Sequence, residues 1–163
     1  MISLSIFSPV MLQSQTDFYF PIRVNESGAA GTGTGTLWCG VHPNATMAIE
    51  PDTLRFSDNM KILEYELPPS GLTSIFDLRF GDLRPVPVDS LYQGLQYDIR
   101  SFRNAGQIDT FRIQAKLGTG TRPFVFSWPA GLSSICDSMR LRDELGGILV
   151  NVNMLTSTRY NLS

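Results

Sequence analysis

The sequence predicts an all-β protein built as an antiparallel β-sandwich, and two observations lead to that prediction. The first is a period of two in the apolar residues, clearest between Ile108 and Trp128, on both sides of a Gly/Thr/Pro break. Such alternation is typical of strands with one buried and one solvated face. The second is the abundance of turn-forming residues: 14 Gly and 10 Pro suit many short strands better than long helices.

The stretch from Ile108 to Trp128 is predicted to form a β-hairpin on which the other strands are arranged. Its inward side chains are expected to be Phe111, Ile113, Phe124, Phe126 and Trp128. Each such side chain stabilises the fold by about 1.5–3 kcal/mol when it is fully buried. Because one hairpin cannot cover this apolar face alone, a second sheet is expected to pack against it.

Other segments continue the same alternation and are separated by turn signals. The further predicted strands cover residues 18–24, 37–41, 75–80, 95–102, 138–143, 148–154 and 158–162. Pro21 lies inside the first of these strands and indicates an edge strand or a bulge. The total of about eight or nine short strands predicts a sandwich of the immunoglobulin or fibronectin type, and a β-barrel is the second possibility.

The length of 163 residues suits one domain with a substantial core. Residues 1–15 form an apolar run that ends in small polar residues, which favours a clipped export signal over an ordinary first strand. This run is too short to span a bilayer, and no transmembrane segment is predicted. Residues 16–163 are then a single β-sandwich domain, whose last strand pattern suggests a truncated C-terminus.

The charge balance argues against nucleic acid as a partner. The chain has 13 basic and 15 acidic residues, and the formal net charge is −2. Without a basic excess, little charge is available to neutralise phosphates. A set of basic residues is predicted on an outward, solvated face around the hairpin, where it would protect sheet edges: Arg100, Arg103, Arg112, Lys116 and Arg122.

The two cysteines, Cys39 and Cys136, match no metal-binding spacing. They could form a disulfide only in an oxidising compartment and only if their Cβ atoms meet. The alternative is two small, buried apolar side chains. The sequence predicts no metal site and no cofactor.

Catalytic candidates are few. The single histidine, His42, lies in the turn-like segment HPNAT and is expected to be an ordinary loop residue. Glu64 and Glu66 would share one face of a strand, whereas glycoside hydrolysis needs two acids that face each other across the substrate. The chain is therefore predicted not to be an enzyme, and a hydrolase fragment is the weakest of the alternatives.

Three aromatic residues, Trp38, Tyr65 and Tyr92, are candidates for a platform on which sugar rings could stack. Trp38 is out of phase with the apolar residues beside it, which predicts an exposed position on the outer face of a strand. Trp128, in contrast, is in phase with the inward aromatic residues and is predicted to belong to the core.

Several short motifs occur in a distinctive order: LWCGVHPNATMAIE, LEYELPPSGLTSIFDLRF, DLRP, YDIRSF and FVFSWPAGL. In this order the chain resembles a module of secreted surface proteins from bacteria that use the type IX secretion route. The match covers about Phe18 to Leu162. The resemblance implies an exported β-sandwich that precedes a C-terminal sorting domain, with neighbouring domains of a larger surface protein as its partners. It implies no catalytic residues.

Short tripeptides look like the O-glycosylation pattern of the same bacterial group. They place the candidate modified residues at Thr53, in Asp52-Thr53-Leu54, and at Ser90, in Asp89-Ser90-Leu91. Together these observations predict a non-catalytic extracellular module with a structural or adhesive role. The main alternative is a carbohydrate-binding module, with glycans or other surface proteins as its partners.

Overall fold

The computed structural model describes residues 2–7, 17–27, 33–46, 48–49, 52–69, 75–81, 94–101, 108–116, 118 and 121–163. Within these ranges the chain forms twelve strands and one short 3-10 turn at Leu132–Ser134. The strands are β1 (Ile2–Phe7), β2 (Phe18–Ser27), β3 (Thr34–His42), β4 (Leu54–Arg55), β5 (Lys61–Ile62), β6 (Asp77–Phe80), β7 (Tyr97–Ser101), β8 (Ile108–Lys116), β9 (Thr121–Ser127), β10 (Ser138–Asp143), β11 (Asn151–Asn153) and β12 (Arg159–Leu162). No helix in these ranges is long and apolar enough to cross a membrane.

Ten of the strands form two sheets of five. Sheet A has the order β11-β10-β1-β8-β6, and sheet B has the order β12-β9-β2-β3-β7. One core lies between the sheets, and its fully buried side chains include Phe80, Phe111 and Met139 from sheet A with Ile22, Leu37 and Phe126 from sheet B. The predicted β-sandwich is therefore confirmed, with more strands than the sequence indicated.

The predicted hairpin between Ile108 and Trp128 is wrong, although both of its strands exist. β8 pairs with β1 and β6 in sheet A, whereas β9 pairs with β2 and β12 in sheet B. Because both strands carry a bulky inward face, their placement in opposite sheets lets these two faces cover each other across the core. Alternation along each strand is retained, as in β8, where Phe111 and Ile113 are buried.

The N-terminal residues Ile2–Phe7 form the central strand of sheet A and pair along their length with β8 and β10. This is the ordinary first strand that the sequence offered as the alternative to an export signal. Residues 8–16 lie outside the described part of the chain. The export signal over residues 1–15 stays a prediction.

Sheet B departs from the expected topology at two places. β3 and β7 pair in parallel, which makes this sheet mixed rather than purely antiparallel. β2, which contains Pro21, lies between β3 and β9, so the predicted edge position is wrong. Pro21 is tolerated there because the ladder between β2 and β9 begins only at Arg23.

A second, smaller core covers the outer face of sheet B beside β7. Its buried side chains are Ala45, Leu54, Phe56, Ile62 and Ile99. β7 is thus buried on both faces: Ile99 faces this second core, and Asp98 and Arg100 face the interior of the sandwich. The Arg100 guanidinium carbon lies 4.7 Å from the centre of the Phe111 ring of sheet A. The predicted outward position of Arg100 is therefore wrong.

A tight turn after β10 is organised by one carboxylate. Asp143 accepts hydrogen bonds from the backbone N–H groups of Leu145 (2.8 Å), Leu149 (2.6 Å), Gly147 and Val150. These bonds, above all the one from Val150, hold the pKa of the Asp143 carboxyl below its usual range. The ionised carboxylate therefore stabilises the turn, and that contribution is lost as the pH falls through the lowered pKa.

Candidate functional site

The outer face of sheet B brings together most of the aromatic residues that the sequence singled out. We refer to four aromatic residues of this face together as the aromatic ledge: Tyr19, Trp38, Tyr65 and Tyr97. Trp38 of β3 is in register with Tyr97 of β7. The ring centroids of Tyr65 and Tyr97 are 6.2 Å apart, and those of Tyr19 and Trp38 are 5.7 Å apart. The aromatic ledge therefore consists of two ring pairs, placed side by side across β3 and β7 by the register of Trp38 with Tyr97.

Trp38 lies on the outer face because its neighbours Leu37 and Cys39 are fully buried between the sheets. Its ring is half-buried, so one part is available to a ligand. Tyr65 is 49% exposed and belongs to the segment that follows β5. Tyr92, the third candidate, lies outside the described residues. Tyr97, which connects Trp38 to Tyr65, was missed because its alternation alone suggested an inward position.

Polar groups fix the rings at both ends of the aromatic ledge. The Tyr65 hydroxyl donates to Oε1 of Gln96 (3.2 Å), and the Gln96 amide in turn donates to the Thr36 carbonyl (3.4 Å). The Tyr19 hydroxyl donates to Oδ2 of Asp58 at 2.6 Å. This hydrogen bond is the main cause that raises the pKa of Tyr19 to about 12. Tyr19 is therefore a neutral donor at physiological pH.

A hollow of about 410 Å³ adjoins the aromatic ledge. It is lined by Pro21, Arg23, Ser127, Trp128, Pro129, Thr158 and Arg159. Trp128 is almost fully buried, and its indole N–H donates to the carbonyls of Met154 (3.1 Å) and Ser157 (2.5 Å). Trp128 thus belongs to the core, as its phase predicted.

Of the two acidic residues considered for catalysis, Glu64 lies at the outer edge of β7 and Glu66 lies beside the segment that precedes it. Glu64 is buried, and its carboxylate accepts the backbone N–H of Ile99 at 2.5 Å. Glu66 forms an isolated antiparallel bridge with Leu95. Because β7 is the last strand of sheet B, its outer N–H groups need partners, and Glu64 supplies one. This structural role of Glu64 was not evident from its sequence spacing.

His42 is a buried residue at the end of β3, so the expected loop histidine is wrong. Its Nδ1 accepts the backbone N–H of Asn44, and its Nε2 lies 3.1 Å from the carbonyl of Arg55. These partners assign the tautomer that carries its proton on Nε2. His42 therefore ties the turn after β3 to β4. In the described part of the chain, no group of three or more His, Cys, Asp or Glu could hold a metal ion.

The possible disulfide between Cys39 and Cys136 is not formed, because both cysteines are free and buried. Desolvation is the main cause that raises the pKa of the Cys136 thiol to about 11, and it also raises the pKa of Cys39 well above its usual value. Both side chains act as small apolar groups in the core between the sheets.

Of the two candidate glycosylation sites, only one is in the described residues. Thr53 is exposed just before β4, where an enzyme can reach its hydroxyl. Ser90 lies outside the described residues. Modification at both positions stays a prediction.

Fold and site together define an all-β sandwich that carries an aromatic ledge and an adjoining hollow on one sheet face. The chain matches no family model, no curated protein and no solved structure. The geometry of this face and the motifs of the chain itself therefore carry the indications of function.

Proposed function

We propose that the chain is a non-catalytic module of an exported protein, in which the β-sandwich has a structural or adhesive role at the cell surface or outside the cell. The observation that carries this proposal is the role of the residues in the motifs FDLRF and YDIRSF. These two motifs are among those by which the chain resembles bacterial surface modules. Their charged residues form ion pairs on edge strands of the sandwich.

In FDLRF, Asp77 and Arg79 form an ion pair along β6, with the Arg79 Nε 2.6 Å from Asp77 Oδ1. Arg79 also donates from Nη1 to the carbonyl of Pro68 at 2.9 Å. The pair therefore anchors the Pro-Pro connector to the edge of sheet A. A charged pair that also bonds to the backbone favours one arrangement of the segments it joins.

In YDIRSF, Asp98 and Arg100 repeat the same Asp-x-Arg arrangement on the edge strand of sheet B. The Arg100 Nε lies 2.9 Å from Asp98 Oδ1, and Nη2 lies 2.8 Å from Oδ2. One edge strand of each sheet, β6 in sheet A and β7 in sheet B, thus carries a bidentate ion pair between residues i and i+2. Such a design suits a module whose task is to hold its shape between neighbouring domains.

The location of the protein tests this proposal most directly. Cells that produce the natural full-length protein with an internal epitope tag should expose the tag to an added protease or antibody, and deletion of the module should reduce surface retention or adhesion. A cytoplasmic marker protein serves as the control for cell integrity. Recovery of the tag only with the cytoplasmic marker would contradict the proposal.

A second candidate function, carbohydrate binding, is favoured by the aromatic ledge. Exposed flat rings spaced across a sheet can stack on the apolar faces of sugar rings, while nearby polar groups orient the hydroxyls. Trp38 and Tyr65 supply the rings, and the side-chain amide of Gln96 lies beside Tyr65, whose hydroxyl donates to it.

Replacing Trp38 by alanine is expected to weaken binding of an oligosaccharide by at least about tenfold, because aromatic anchors dominate the energetics of such contacts. Titration calorimetry against a panel of oligosaccharides provides the measurement. Leu149→Ala, at an exposed apolar residue outside the aromatic ledge, is the matched control. Because Trp38 is half-buried, Tyr65→Ala serves as a second variant that should fold normally. If neither change alters glycan affinity, the aromatic ledge has no part in binding.

A further inference from the structure

A polar row crosses the outer face of sheet B directly beside the aromatic ledge. Arg159 of β12 is in register with Ser127 of β9, and Ser127 is in register with Arg23 of β2. Because neighbouring strands are about 4.8 Å apart, the two arginines flank the serine at about 10 Å from each other across the sheet. Both arginines and the serine line the hollow described above.

The hollow carries positive charge and has no acidic residue among its lining residues. Arg23 is exposed, and within the part of the chain that the structure describes its guanidinium has no hydrogen bond or ion pair. Arg159 donates from Nε to Oδ1 of Asn161 at 3.2 Å, which orients the guanidinium and leaves its other N–H groups for a ligand. Two guanidinium groups and one hydroxyl are donors that suit a carboxylate or a sulfate.

The hollow and the aromatic ledge are continuous. Pro21, which lines the hollow, is in register with Trp38, and Arg23 is in register with Thr36. Trp38 is therefore a diagonal neighbour of Arg23, a relation that places Cβ atoms about 7–8 Å apart. A ring stacked on Trp38 can thus direct a charged substituent towards Arg23.

We propose that the hollow is an anion-binding subsite, and that its ligand is an acidic sugar, a uronate or a sulfated residue within an oligosaccharide. This inference rests on the carbohydrate-binding function proposed for the aromatic ledge. In this arrangement the sugar ring stacks on the aromatic ledge, and the anionic substituent of the sugar binds to Arg23 and Arg159. The net charge of −2 makes a polyanionic nucleic acid a poor alternative, because the chain has no overall basic excess to neutralise its phosphates.

Titration calorimetry with three oligosaccharides of equal ring number, an oligogalacturonate, a sulfated oligomer and a neutral glucan, tests the inference. The wild-type chain should bind one of the acidic oligomers at least about tenfold more tightly than the neutral one, and added salt should weaken that binding. Arg23→Gln and Arg159→Gln should each reduce this affinity by about 10- to 100-fold, because each removes charged hydrogen bonds. Thermal unfolding should show that both variants fold like the wild type.

Arg140→Gln is the matched control, because it removes the same charge from the outer face of sheet A, where Arg140 donates to Asn151. Equal affinity for neutral and acidic sugars, or full binding by the Arg23 and Arg159 variants, would overturn the anionic subsite and leave the carbohydrate-binding function intact. Binding of an acidic peptide in place of any acidic sugar would overturn the assignment of the ligand. Absence of binding to all three oligosaccharides would overturn both the subsite and the carbohydrate-binding function.

Discussion

Replacing Asp98 by alanine is expected to lower the free energy of unfolding by about 3–5 kcal/mol, because the change leaves the Arg100 guanidinium without its carboxylate in the interior. The Asp98 side chain is only 2% exposed, and that of Arg100 is 17% exposed. Water therefore cannot easily reach the Arg100 guanidinium to replace the hydrogen bonds that it makes to the Asp98 carboxylate. Urea unfolding at neutral pH, followed by tryptophan fluorescence, measures the change.

Two further variants distinguish two contributions to the free energy of unfolding: the penalty for leaving Arg100 without its carboxylate, and the net stabilisation by the ion pair. The joint replacement Asp98→Leu with Arg100→Met should recover most of the stability, because apolar residues of similar volume can replace a buried ion pair at little cost. Glu144→Ala breaks the Arg112–Glu144 pair, whose side chains are each 38% exposed, and should cost no more than about 1 kcal/mol. If Asp98→Ala costs no more than Glu144→Ala, the Asp98 pair is not desolvated as the structure indicates.

The alternation of apolar residues was sufficient to predict most strands and their phase. Phe111 and Ile113 of β8, and Phe124 and Phe126 of β9, are buried as expected, and Trp38 faces outward as expected. Phase is a local property, since successive side chains point to opposite faces of any strand. For this reason it could be read without knowledge of the partner strands.

Alternation does not reveal which side of a strand faces the main core. In β7 the apolar residues Tyr97 and Ile99 lie against the second core, and the charged residues Asp98 and Arg100 enter the sandwich. The pattern is correct, but its interpretation is reversed. The segment that covers the outer face of sheet B has mixed spacing, so its pattern does not indicate a second core.

Pairing between distant strands was also beyond prediction. β8 and β9 are adjacent in sequence and strongly patterned, which favoured a hairpin, yet they lie in different sheets. The row formed by Arg23, Ser127 and Arg159 exists only because β2, β9 and β12 are neighbours in sheet B. The aromatic half of the candidate site was therefore accessible from the sequence, and the cationic half was not.

Phe111→Ala is expected to reduce the free energy of unfolding by about 3–5 kcal/mol, the usual range for deletion of a buried aromatic ring. Phe111 is fully buried in the centre of β8, and its ring centroid lies 5.9 Å from that of Phe80. The change therefore leaves a cavity between the sheets and also removes the ring beneath the Arg100 guanidinium. Ile148→Ala is the control for loss of apolar surface, because Ile148 is 79% exposed, and it should change stability by less than about 0.5 kcal/mol.

A double-mutant cycle can isolate the contact between Phe111 and Arg100 from the cavity. The guanidinium carbon lies 4.7 Å from the ring centre, a geometry for which about 0.5–2 kcal/mol of attraction is expected in a partly desolvated site. The combined cost of Phe111→Leu and Arg100→Met should therefore be smaller than the sum of their separate costs by that amount. Strict additivity would show that Arg100 enters the sandwich only to reach Asp98, and that the aromatic ring beneath it contributes through packing alone.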